Sequence, residues 1–87
     1  MSYYYVVVMS KSHAFLLERR LKSQGIKCDL AYMPREIMTD VCNMGVRFHE
    51  RELNQAADVI RHSGIPGCKL YKEVIKPEGY MYYQASL

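Results

Sequence analysis

Met33-Pro34-Arg35-Glu36-Ile37-Met38-Thr39-Asp40-Val41-Cys42-Asn43-Met44-Gly45-Val46-Arg47-Phe48 decides how this chain folds, because it stops one strand and starts another. Pro34 biases Met33 to an extended conformation and closes the strand before it. Gly45 leads into a new strand over 45–49, with Val46 and Phe48 inward and Arg47 outward. Between these ends lies a long loop whose cysteine, Cys42, belongs to neither periodic pattern. Loops with specific chemistry are more often functional than merely connecting.

Working back toward the N-terminus, residues 26–33 predict a strand. Ile26, Cys28, Leu30 and Tyr32 alternate with Lys27, Asp29 and Ala31, so one face is buried. Before it, residues 11–23 predict a helix. Ala14, Leu17 and Leu21 form its buried stripe, widened by Phe15 and Leu16, and Ser10 or Ser12 caps it. Gly25 is its stop. The aromatic and β-branched run over 2–9 predicts a central strand with little solvent on either face.

Working forward, Leu53, Ala56, Ala57 and Ile60 predict a second helix over 50–62, poorly capped by His49. Residues 68–75 predict a fourth strand, with Lys69, Lys72 and Lys76 as a solvated, edge-protecting face. Pro77-Glu78-Gly79 breaks that strand. The tail over 77–87 is aromatic rather than charged, so it is expected to pack on the domain or on a second copy.

The chain has 87 residues, enough for one small domain, placed over 1–76 with the tail following. A net charge of +3 is too thin to argue for nucleic acid. The N-terminus runs straight into Tyr-Tyr-Tyr-Val-Val-Val, which reads as strand rather than leader, and that run is too short to span a membrane. Cys28, Cys42 and Cys68 are odd in number and widely spaced, which argues against a disulfide scaffold and suits a reducing cytoplasm. No Cys-x-x-Cys or His-Glu-x-x-His pattern occurs, so neither a metal nor another cofactor is expected.

The order strand, helix, strand, strand, helix, strand predicts an α+β, ferredoxin-like two-layer sandwich, β-α-β-β-α-β. Its four-stranded antiparallel sheet has spatial order 4-1-3-2 and two helices on one face. In that topology the Cys42 loop sits near the N-terminus of the first helix, close to Lys11 and His13. Helix amides, a lysine and a protonated imidazole all favour thiolate over thiol, and Arg35 adds to this. Asn43 and Gly45 complete the candidate binding set, Gly45 by letting backbone approach closely. Cys28 and Cys68, both inside strands, are expected to be packing residues.

The run Pro34-Arg35-Glu36-Ile37, a polar spacer, Cys42, and then Val46-Arg47-Phe48 resembles the signature of the selenium/sulfur carrier-like family of short bacterial proteins. The likeness extends over about residues 4–71. Two differences stand out: the family's Cys-Gly step is Cys42-Asn43 here, and its Ser-Pro helix start is His49-Glu50. The resemblance implies a carrier rather than a turnover enzyme. Cys42 would accept sulfur or selenium as a persulfide-type adduct and pass it between donor and acceptor proteins. The alternative is a non-catalytic ferredoxin-like interaction or ligand-sensing module that forms homo-oligomers, a homodimer being the simplest. Base stacking on a sheet ranks below both, since the third strand offers only Phe48.

Overall fold

Tyr3-Tyr4-Tyr5-Val6-Val7 forms the central strand because its aromatic and β-branched side chains suit a pleated surface buried on both faces. The computed structural model describes residues 2–87. Around strand β1 (Tyr3–Val7) are helix α1 (Lys11–Ser23), β2 (Asp29–Tyr32), β3 (Met44–His49), a 3-10 turn (Glu50–Glu52), α2 (Leu53–Arg61), β4 (Lys69–Lys76) and β5 (Gly79–Ala85). The fold is α+β, with two helices and a single five-stranded sheet of order β2-β3-β1-β4-β5, antiparallel at every pairing.

The expected four-stranded sheet is therefore corrected to five. Pro77-Glu78 does not end the sheet. It is the turn of a hairpin that returns Gly79–Ala85 along β4, from Lys76↔Gly79 to Leu70↔Ala85. Lys69, Lys72 and Lys76 consequently lie on an interior strand and guard no edge. Tyr82 fixes the returning strand: its hydroxyl donates to the Glu73 carboxylate at 2.8 Å, and its ring meets Tyr5 edge-on at 5.9 Å. Burial first, and then that carboxylate, hold the Tyr82 hydroxyl well above the usual phenol range.

Alternation along β1 builds two cores. Tyr4, Val6 and Val8 join Ala14, Leu17 and Leu21 of α1, Ala56 and Ile60 of α2, and Val46, Phe48 and Leu70 on the helix side. Tyr5 and Val7 join Met33 and Ile37 in a smaller cluster on the opposite face. That second cluster shows the long loop covering part of the face that carries no helix.

α1 follows its local signals closely. The Ser10 hydroxyl accepts from the His13 N–H at 3.2 Å, and Gly25, at φ +77°, reverses the chain after the last turn. Phe15 and Leu16 are exposed, so the buried stripe is narrower than expected. β2 is shorter than expected. Ile26 and Cys28 are buried before it begins, while Tyr32 at its end is exposed, since β2 is an edge strand with one neighbour. His49 does cap: its Nδ1 accepts from the Arg51 N–H at 3.1 Å.

Gly45 is needed for space rather than for its dihedral angles. A Cβ there would lie 2.1 Å from the Val6 carbonyl oxygen and 2.9 Å from the Met33 sulfur. Glycine thus lets β3 pack against β1 with Met33 laid over it.

Candidate functional site

Val7, the last residue of β1, pairs with Gly45 near the start of β3. α1 begins shortly after Val7, and Cys42 comes shortly before β3. The first turn of α1 and the cysteine loop therefore share one end of the sheet. The loop closes on itself. The Met33 N–H donates to the Asn43 carbonyl at 2.7 Å, and the Ile37 and Met38 N–H groups donate to the Pro34 carbonyl at 3.0 Å each. Thr39 Oγ1 clasps the cysteine backbone, accepting from the Cys42 N–H and donating to the Cys42 carbonyl, both at 3.1 Å.

The sulfur is less accessible than the polar loop suggests. Cys42 is 8% exposed and belongs to the helix-side core. Its Sγ donates to the Met44 carbonyl at 3.3 Å, a bond that requires the protonated thiol. The cause is the two-residue period of β3. Phe48, Val46 and Met44 face the helices, and Cys42 continues that alternation past the end of the strand. This signal was available in the sequence, masked by Thr39, Asp40 and Asn43 around it.

Lys11 is exposed at the start of α1. His13 is half-buried, with a buried Nδ1 that has no hydrogen-bond partner. Arg35 is exposed in the turn over 35–37, Asn43 is exposed and contributes its carbonyl to the loop closure, and Gly45 is buried. Among the described residues, no hydrogen bond or ion pair joins Lys11, His13 or Arg35 to Cys42. The fold gathers Cys42, Asn43, Gly45, Lys11 and His13 toward one sheet end without setting the cations on the sulfur. The sequence reading missed an apolar rim. Val41 (68% exposed) and Met38 (47%), in the loop, and Tyr32 (74%, the register partner of Met44), just before it, are large hydrophobic side chains left open to solvent.

A family model described as "Putative Se/S carrier protein-like" matches residues 3–72. The chain belongs to this family. The match takes in the whole cysteine loop and both helices, and it ends within β4, so β5 lies wholly beyond it. Comparison with curated proteins and with solved structures gave no significant match.

Within this carrier-like family member the other two cysteines are unsuited to nucleophilic work. Cys28 lines a cleft of about 620 Å³ at the far end of the sheet, together with Lys22, Lys27, Arg47 and Arg51. Two of those cations are engaged by carboxylates, Lys22 by Glu18 at 3.1 Å and Arg47 by Asp29 at 3.8 Å. Burial pushes the Cys28 thiol up to about 11, with only Lys22 opposing, and burial also raises Cys68. All three cysteines are free thiols. Among the described residues no group of His, Cys, Asp or Glu could hold a metal ion, and no helix is long and apolar enough to cross a membrane.

The Cys28 shift has a direct consequence. Unfolded, this thiol loses its proton near its ordinary value of 9.0, whereas folded it keeps the proton to about 11. Above pH 9 the unfolded state binds fewer protons, so stability falls as pH rises through that window. Chemical denaturation across this pH range should show the fall. Cys28→Ala should make the fall shallower without abolishing it, since Cys68, also raised from 9.0, and Tyr5 and Tyr82, both raised from 10.0, contribute in the same direction. A fall equally steep in both proteins would contradict the assignment.

Proposed function

We propose that this protein carries sulfur or selenium on Cys42 as a persulfide-type adduct, moving it between donor and acceptor proteins in a compartment where thiols stay reduced, the cytoplasm. The fold is read here as a ferredoxin-like unit, β1 to β4 with both helices, extended by β5. One observation carries the functional reading. Cys42 sits in a loop whose Thr39 clasps its backbone and which carries exposed Met38 and Val41 and follows exposed Tyr32, whereas Cys28 and Cys68 lie just before β2 and β4 with thiols raised by burial. Opening such a loop leaves the sheet ladder intact, and an apolar rim is what a docking protein covers.

In the step proposed, a docked donor lifts the loop, and Cys42 leaves the Met44 carbonyl and ionises. Its thiolate attacks the outer sulfur of the donor persulfide. One S–S bond forms as the donor's breaks. The donor cysteine departs as thiolate and takes up the proton that Cys42 gave up, so the exchange is redox-neutral. Lys11, His13 and Arg35, at or near that end of the sheet, are the cations available to the sulfur anion once it is uncovered.

The test is mass spectrometry after incubation with a cysteine desulfurase and cysteine. Wild type, Cys28→Ser and Cys68→Ser should each gain the mass of a sulfur atom, and Cys42→Ser should gain none. Sulfur that persists on Cys42→Ser, or never reaches wild type, points to the second reading. That reading is an interaction module in which Cys42 is a packing residue, and the thiol bond to Met44 together with the 8% exposure favours it.

A further inference from the structure

The two edges of the sheet differ in a way that bears on assembly. The β2 edge spans four residues, carries Asp29, and is flanked by Lys27 and Pro34. Short length, charge and proline are the devices by which sheets discourage edge-to-edge pairing. The β5 edge has none of them. It spans seven residues, and the chain from Gly79 to Leu87 contains no charged residue and no proline. Tyr80 (56% exposed), Met81 (41%) and Tyr83 (45%) stand open along it. The strand is firmly built, with seven residue pairs to β4 and the Tyr82–Glu73 and Lys76–Tyr83 hydrogen bonds, the latter at 3.0 Å. A long, ordered, uncharged edge with unpaired backbone groups is a template for one more strand.

We propose that β5 pairs antiparallel with β5 of a second copy of this chain, joining two five-stranded sheets into one of ten strands. Symmetry and charge select the occupant. An antiparallel strand is complementary to itself about a two-fold axis, so a single patch serves both partners. Centred on Tyr82, the midpoint of Gly79–Ala85, the pairing sets Met81 opposite Tyr83 of the second copy, and does so twice. Both residues lie on the helix side, with Ala85, and methionine packs favourably against aromatic rings. On the other face Tyr80 meets Gln84 of the second copy and Tyr82 meets its own equivalent. Each copy carries a net charge of +3, and a strand with no charged residue of its own lets like-charged copies meet without opposed β5 charges at the seam. Lys76 of β4, which reaches this edge, is engaged by the Tyr83 hydroxyl, so the strand offers a nucleic acid or an acidic peptide no cation of its own. The proposal is independent of the carrier reading. Ile37 of the cysteine loop shares a cluster with Tyr82 behind the sheet, but Cys42 lies on the helix side just before β3, which β1 and β4 separate from β5, so the seam does not cover it.

Sedimentation equilibrium or light scattering at micromolar concentration tests this. The wild type should show about twice the chain mass of 10.2 kDa. Met81→Lys and, independently, Tyr80→Lys should each show a single chain mass with unchanged far-ultraviolet circular dichroism. Both positions are exposed in the single chain, so either variant is expected to fold. Tyr32→Lys, on the other edge, should remain at twice the chain mass. A wild type of single mass, a dimer that persists in both folded lysine variants, or dissociation caused by Tyr32→Lys would each overturn the proposal.

Discussion

Phe48→Ala is expected to lower the unfolding free energy by about 4 kcal/mol, the usual cost of emptying a buried aromatic site. Phe48 is among the largest fully buried side chains. Its ring stacks on that of Tyr4, with centroids 5.7 Å apart and planes 8° from parallel, and the two residues are cross-strand partners between β1 and β3. Truncation loses the transfer term, leaves a cavity between the sheet and both helices, and strips Tyr4 of its partner. A domain this small holds on the order of 5–10 kcal/mol, so the variant should be only marginally folded. Its thermal midpoint should drop by roughly 20 °C. Phe15→Ala is the control: Phe15 is exposed on α1, and its loss should change stability by no more than about 0.5 kcal/mol. Urea denaturation that found the two variants alike would mean the core is not centred where β1 and β3 meet.

Gly45→Ala comes next, at about 3 kcal/mol, the upper range for forcing atoms into a packed interior. The new methyl group meets two obstacles of different kinds. The Met33 side chain, at 2.9 Å, can rotate away, whereas the Val6 carbonyl oxygen, at 2.1 Å, moves only if β1 and β3 separate. Gly25→Ala offers a useful contrast. Nothing lies within 4 Å of a Cβ at Gly25, so its cost is the left-handed backbone alone, about 1–2 kcal/mol. Denaturation midpoints should therefore rank wild type above Gly25→Ala above Gly45→Ala. If Gly45→Ala proved the milder change, the close approach of β3 to β1 would not hold in solution. The Gly45 substitution should also reach the sulfur, because the carbonyl that receives Cys42 Sγ belongs to Met44, the adjacent residue.

The parts of this fold that were legible in the sequence are those with local causes. α1 has a serine cap, an apolar stripe and a glycine stop within one short span, and its observed bounds match the reading from those signals. The neighbours of the first four strands follow from connection rules. β5 was not legible. Tyr80-Met81-Tyr82-Tyr83 is apolar on both faces, so no alternation shows, and Pro77-Glu78-Gly79 reads equally as a terminator or as a hairpin turn. At the site, family membership and the place of Cys42 in the loop before β3 came through. The burial of its sulfur did not, since polar neighbours hid a continuing two-residue period. Thr39, whose hydroxyl meets Cys42 at both its N–H and its carbonyl, carried no signal that sequence alone distinguishes from an ordinary loop threonine.

The residues from Met33 to Cys42 are anchored on both sides of the sheet: Met33 and Ile37 lie against Tyr5 and Val7 on one face, Cys42 among the helix-side residues on the other. That makes the segment a hasp rather than a flap. A substitution that loosens Ile37 behind the sheet is therefore expected to slacken the tether that keeps the sulfur seated in front.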